Sequence, residues 1–315
     1  MSNPILSDPR FHNEEAAYDF VESIVWPGGP VCPHCGGKDR IGKMNGKSTR
    51  IGAYKCYACR KPFTVKVGTI FEDSHIHLRL WLQTIYLMCA SKKGISANQL
   101  HRTLGVTLKT AWFMMHRVRY AMDQRPDSPF CGPVEIDETY IGGKLRVGPL
   151  PVQPGIRPMD RPHHTANKAP VVSVLQRGGS VRSYHLHRVT AKNLKPIIEE
   201  MTTKDAHLMT DTSTALASAG AQRKHSQVNH NVKEYARREN GELITTNSVE
   251  GYFSILKRGI NGVYHHCGQE HLHRYLAEFD FRYNNRIAMG IDDTMRAENA
   301  LKGIVGKRLT YTTPA

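Results

Sequence analysis

No run of about 18 apolar residues, the length a membrane-spanning helix requires, occurs anywhere in the 315 residues. The N-terminus also lacks the basic-then-apolar order of a secretory leader, since Asp8, Arg10, Glu14 and Glu15 stand where its apolar core would be. Both absences point to a soluble, cytoplasmic chain. Acidic residues are scarce beside basic ones, 28 against 43, which gives a net charge of +15. That imbalance favours a polyanionic partner, nucleic acid ahead of an anionic membrane surface. Cysteine is sparse and odd in number: Cys32, Cys35, Cys56, Cys59, Cys89, Cys131 and Cys267. An odd set containing two CxxC pairs argues for metal ligation and against a disulfide framework. What is present in quantity is apolar: 40% of residues are hydrophobic, enough for at least one core. The length predicts two or three domains.

A first helix is expected within 1–26. Phe11, Tyr18, Phe20, Val21 and Ile24 recur at helical spacing before Trp26-Pro27-Gly28 ends the pattern. Segment 27–72 holds Cys32-Pro-His-Cys35, a gap of 20 residues, then Cys56-Tyr-Ala-Cys59. Two such knuckles supply four thiolates to one tetrahedral Zn²⁺ and leave no open coordination position, so this zinc is expected to be structural. The basic residues between them predict a β-hairpin, and alternating Phe63, Val65 and Val67 a third strand. Segment 75–125 offers an apolar helix and then two shorter ones. Ser96 and Thr107 are candidate N-caps on either side of Leu104-Gly105-Val106. Two short helices around such a turn form the helix-turn-helix layout. On that reading Lys109, Thr110 and Arg117, with His116, face DNA from the second helix; the alternative is an ordinary helical hairpin.

Segment 130–290 opens on Val134-Glu135-Ile136-Asp137-Glu138-Thr139-Tyr140-Ile141, closed by Gly142-Gly143. The pattern is that of a strand, and three carboxylates on it are a local exception in a basic chain. Either they form a solvated acidic edge, or Asp137 is offered to a divalent cation. Residues 145–169 form a proline-bearing basic loop, either a DNA contact or an insertion. Val171–Leu175 predicts a buried strand, Ser183–His187 its hairpin partner, and Thr190 the cap of a helix. Asp211 ends the apolar run Ala206–Thr210, where open sheets place functional groups or where an N-cap begins a helix. In Asn247–Arg258, Asn247, Glu250, Ser254 and Lys257 form a polar stripe beside the apolar stripe Val249, Phe253, Leu256 and Ile260. Asn247-x-x-Glu250 also has the spacing of a capping box. A last helix is expected from about His271 to Asn285 with Arg274, Arg282 and Arg286 exposed, and 291–315 reads as a weakly patterned tail.

The order β-β-β-β-α-β-α-β-α-α, with acids on separate elements, is the plan of a ribonuclease-H-like nuclease. The expected fold is therefore multidomain α/β: zinc ribbon, helix-turn-helix, then a ribonuclease-H-like catalytic domain. In such a domain converging carboxylates hold two divalent ions, and an oxygen-only donor set favours Mg²⁺ or Mn²⁺.

Ribbon, helix pair, the strand Ile-Asp-Glu-Thr-Tyr-Ile-Gly-Gly-Lys, a Thr-Asp strand end and the helix Asn-Ser-Val-Glu-Gly-x-Phe-Ser-x-Leu-Lys-Arg occur in that order. Over residues 20 to 290 the chain resembles the bacterial DDE insertion-sequence transposases that carry an N-terminal zinc ribbon. The resemblance implies Asp137 and Asp211 as the first two acids. The third position falls on Asn247, 36 residues after Asp211, or on Glu250, 39 residues after it. Glu250 is the stronger candidate because a carboxylate balances metal charge. Lys257 corresponds to the lysine that contacts DNA near the cut. The resemblance further implies double-stranded DNA as partner (element ends and target), a homodimer or larger synaptic assembly, and nucleoid association in a bacterial cytoplasm. The competing functions are a DNA-binding regulator and a structure-specific nuclease built from the same domains.

Overall fold

The computed structural model describes residues 4–124, 128–143 and 168–310. The basic stretch 145–169 lies, up to residue 167, outside the described residues. The chain divides into two compact units, Met1–Gln124 with Asn285–Ala315, and Arg125–Asn284.

In the first unit, helix α1 (Glu14–Val25) starts at Asn13, whose side chain accepts the N–H of Ala16, and buries Ala17, Tyr18 and Val21. Strands β1 (Ile41–Lys43), β2 (Tyr54–Cys56) and β3 (Pro62–Phe63) form an antiparallel sheet in that order. Cys32, Tyr54, Cys56 and Phe63 make its small core, with Trp26 packed edge-on against Tyr54 and Phe63. The third strand is shorter than expected. It stops at Phe63 because the backbone turns at once, the N–H of Val67 bonding to the Thr64 carbonyl.

Helix α2 (Leu78–Ala90) takes its N-terminal cap from α1: Glu14 accepts the N–H groups of Leu78 and Arg79. Helices α3 (Ala97–Leu104) and α4 (Leu108–Met122) follow, capped by the Ser96 and Thr107 hydroxyls and joined through Gly105 in the left-handed region, φ 68°. Beyond Gly290, where the sequence shows little pattern, the chain forms helix α9 (Asp293–Lys302), which begins at an Asp292 cap and packs on α2. The Arg296 guanidinium, largely buried, donates to the Cys89 carbonyl at 2.9 Å. Lys307 then reaches the α4 C-terminus, donating to the carbonyls of Tyr120 at 3.0 Å and Asp123 at 2.8 Å. An ammonium there satisfies free carbonyls and complements the helix dipole.

The second unit is a five-stranded mixed sheet, order β6-β5-β4-β7-β8, made of β4 (Pro133–Ile141), β5 (Ala169–Gln176), β6 (Val181–His185), β7 (His207–Asp211) and β8 (Lys224–Val228). β5 is antiparallel to both its neighbours, β4 and β6, while β7 runs parallel to both β4 and β8. Among the described residues three strands, not four, precede the first helix of this unit, α5 (Ala191–Met201). α5 and α6 (Thr214–Gly220) cover one face over Val134, Ile136, Val172 and Val174. α7 (Asn247–Gly259) and α8 (Gln269–Asn284) cover the other over Ile141, Val171, Leu175 and Val181. The two sets follow strand parity, as the two-residue period requires. Val249, Phe253, Leu256 and Ile260 are the buried stripe of α7. A hairpin of β9 (Ala236–Glu239) and β10 (Glu242–Thr245), absent from the expected order, intervenes between β8 and α7. Arg282, expected to be exposed, is buried and ion-paired with Glu278 one turn earlier on α8.

Candidate active site

The three acids of β4 take different partners. Glu135 is buried against the start of α7: its carboxylate accepts from the N–H groups of Ser248 and Val249 and from Arg177 Nε. Asp137 and Glu138 instead meet Asp211, the last residue of β7, with one carboxylate oxygen of each within 4.8 Å of the others. β4 and β7 run parallel and adjacent with Glu135 opposite Met209, so Asp211, two residues on at the C-terminal end of β7, falls level with Asp137, two residues on in β4.

Burial pushes Asp137 up to about 7, and the charges of Asp211, Glu138 and Glu250 add to it against the 2.8 Å bond from the Glu138 N–H. Glu138 is also raised to about 7, by burial first and by Asp211 second. Asp211 Oδ1 accepts the Ser213 N–H at 2.9 Å. None of the three acids is ion-paired among the described residues, and Glu138 Oε2 is buried without a hydrogen-bond partner. Such a group costs free energy unless something satisfies it. Convergent, oxygen-only and short of counter-charge, the cluster fits a hard divalent cation such as Mg²⁺ or Mn²⁺. Glu138 was visible in the sequence as one of three acids on a strand, but strand alternation placed it opposite Asp137 and hid its convergence.

Glu250 sits in the first turn of α7, outside that 4.8 Å group. Its Oε1 accepts from the Thr246 hydroxyl at 2.7 Å and lies 3.2 Å from His230 Nε2. Asn247 is exposed at the first position of the helix. The capping box suggested by their spacing is not formed: Thr246 precedes the helix and makes no side-chain cap bond. Lys257 is exposed farther along α7.

In the first unit, Cys32 and Cys59 sulfurs stand 3.7 Å apart, as do those of Cys35 and Cys56. Tetrahedral Zn–S bonds of about 2.3 Å require S···S edges of about 3.8 Å, so the four thiols fit one zinc ion. The Cys59 amide foremost holds the Cys56 thiol down to about 7. Lys109 is exposed and Thr110 half-buried on the first turn of α4. Arg117 corrects the sequence expectation. It is 6% exposed, and its guanidinium donates to the carbonyls of Ile70, Glu72 and Leu309. A cation spent on three interior carbonyls is not presented to DNA. His116, its ring tilted against Trp112, is likewise buried.

Residues 129–284 match the ISXO2-like transposase domain, and residues 12–62 match the transposase zinc-ribbon domain. A Halobacterium salinarum protein described as an uncharacterized protein in transposable element ISH50 is 31% identical over 186 residues, which span 58% of this chain and 60% of that relative. The four-sulfur cluster lies within the segment matched to the zinc-ribbon domain, and the carboxylate-bearing mixed sheet within the segment matched to the transposase domain. The chain belongs to the insertion-sequence transposases. No helix among the described residues is long and apolar enough to cross a membrane.

Proposed function

We propose that this protein binds the terminal inverted repeats of its own insertion sequence, cuts DNA there and joins the freed ends to target DNA. The observation that carries this reading is the convergence of Asp137, Glu138 and Asp211 on the two adjacent interior strands β4 and β7, without an ion-pair partner among the described residues, in a chain of net charge +15. The strand order β6-β5-β4-β7-β8, with three antiparallel strands followed by two parallel ones, supports a ribonuclease-H-like fold for this unit. Capped helices α3 and α4 around Gly105 support a helix-turn-helix with Lys109 and Thr110 on its DNA-facing side.

Asp137 and Asp211 would hold the cations, with Glu138 adding a buried oxygen and Glu250 completing the set from α7 with Asn247 as auxiliary ligand. A bound pair of Mg²⁺ ions supplies charge stabilisation to the attacking and leaving oxygens. In cleavage, a water oxygen bonds to phosphorus and loses its proton as the bond to the 3′ oxygen breaks, leaving a 3′-hydroxyl. In joining, the oxygen of that hydroxyl bonds to a target phosphorus as the target's own bond from phosphorus to the 3′ oxygen breaks, and the proton lost by the hydroxyl is balanced by one gained at the released 3′ oxygen. Lys257 holds a phosphate beside the cut. Zn²⁺ on Cys32, Cys35, Cys56 and Cys59 keeps the ribbon folded and takes no part in the chemistry. Two ends must meet, so the working form is a homodimer or larger synaptic assembly, acting on the nucleoid in the cytoplasm.

The test is strand joining. Purified protein, Mg²⁺ and a duplex carrying the element's terminal repeat are incubated with plasmid, and covalent repeat–plasmid products are scored. Nicking without joining identifies a structure-specific nuclease; binding without nicking identifies a DNA-binding regulator.

A further inference from the structure

Glu135 precedes Asp137 by two residues on β4 and is 0% exposed. Its Oε2 accepts from the backbone N–H groups of Ser248, at 2.8 Å, and Val249, at 3.0 Å. Its Oε1 accepts from the Ser248 hydroxyl and from Arg177 Nε, both at 2.9 Å. The first N–H groups of a helix need outside acceptors, and they favour a negative one. Helices α1, α3, α4, α5 and α9 find such an acceptor in the side chain of the residue just before them. α7 does not, because Thr246 turns its hydroxyl to Glu250 instead. The Asn247 N–H goes to the Thr245 hydroxyl at 3.2 Å, and the next two, those of Ser248 and Val249, are satisfied from the sheet by a residue more than a hundred positions earlier. Arg177 extends the tie: its guanidinium also donates to the carbonyls of Leu243, at 2.7 Å, and Thr245, at 3.2 Å, on the strand that leads into α7.

By the two-residue period, Glu135 and Asp137 belong to the same face of β4. That face is the one α7 covers, and Glu250 lies in the first turn of α7. We propose that Glu135 is a positioning residue for the candidate active site: it clamps the start of α7 to β4 and so sets how Glu250 and Asn247 stand relative to Asp137. The proposal rests on the active-site reading above. Its strength comes from the number and charge of the bonds. A carboxylate can accept all four donors, whereas a glutamine has one accepting oxygen and would turn an NH₂ toward N–H groups. Small displacements of reacting groups have large kinetic effects, about 100-fold for about 1 Å.

The experiment uses the full chain and measures the Mg²⁺ concentration giving half-maximal nicking of a terminal-repeat duplex, well below the melting temperature. Duplex binding and thermal unfolding are recorded in parallel. Glu135→Gln is expected to raise the Mg²⁺ midpoint by about tenfold or more, as loss of groups that orient metal ligands does, with duplex binding unchanged. Ser248→Ala, which removes one of the four bonds, is expected to raise it by about threefold. A merely structural role would lower thermal stability and leave the midpoint where it is. The parental midpoint in folded Glu135→Gln overturns the proposal; should that variant not fold, the parental midpoint in Ser248→Ala does so. Asp137→Ala, run alongside, separates the two levels. If it abolishes nicking while Glu135→Gln keeps the parental midpoint, only the positioning role falls. If nicking survives in Asp137→Ala, the active-site reading fails and takes the proposal with it.

Discussion

Asp137 and Glu138 carry a pH dependence whose sign follows from their environment. Folding raises Asp137 from 3.8 and Glu138 from 4.5, both to about 7. The folded protein then holds these protons more tightly than the unfolded chain. Their contribution to stability is full below about pH 4 and is lost as pH climbs through 7. Metal-free protein should therefore melt at lower temperature at pH 8 than at pH 5.5, and Mg²⁺ should raise the melting temperature more at pH 8. The Asp137→Asn, Glu138→Gln double variant should flatten both trends; calorimetry across pH with and without Mg²⁺ checks this. A second prediction at this scale concerns the third ligand. Glu250 is close enough for its charge to act on Asp137. Nicking assays should find the larger loss in Glu250→Ala and the smaller in Asn247→Ala; the reverse order would move the ligand to Asn247. Which of the β4 acids turned where was not legible in the sequence. Glu135 is claimed by amides 113 and 114 residues away, and period-two alternation says nothing of them.

Elements whose signals are local could be read directly. Ser96 and Thr107 cap α3 and α4 through bonds to residues three positions on, so sequence spacing contains them. The CxxC pairs and the apolar stripe of α7 are of the same kind. Arg117 shows the limit: helical periodicity gives the spacing of side chains on α4 but not which side faces the interior. That side is set by carbonyls 45 to 192 residues distant. The recognition surface proposed for α4 is accordingly narrowed to its first turn. Lys109→Ala should weaken binding to the terminal repeat by about 1–3 kcal/mol if the lysine reads a base, measured by titration against repeat and scrambled duplexes. Equal affinity of variant and parent for the repeat would remove α4 as the reader. For the ribbon, Cys56→Ser should lower bound zinc well below one ion per chain and unfold the ribbon while the 125–284 unit stays folded. Metal analysis with circular dichroism tests both halves.

At the scale of the whole molecule, the sequence order of segments is not the order of the compact units. The 125–284 unit interrupts the first, which is completed by residues beyond Asn285. Helix α9 and Lys307 pack on α2 and α4, so the stretch that looked like a tail belongs to the unit proposed to bind DNA. Weak amphipathic patterning hid this, because one of the three residues α9 buries is Arg296, which is held by backbone carbonyls, beside Ala300 and Leu301. The +15 charge, by contrast, was legible at once and frames the proposed function. That function stands on Asp137 and Asp211 serving one metal-dependent cut. Its most direct measurement is Mg²⁺-dependent nicking of a terminal-repeat duplex by the parent, Asp137→Ala and Asp211→Ala proteins, each checked for folding and duplex binding. Nicking should fall by about a thousandfold or more in both variants, with binding retained; nicking at the parental rate by either folded variant would contradict the account.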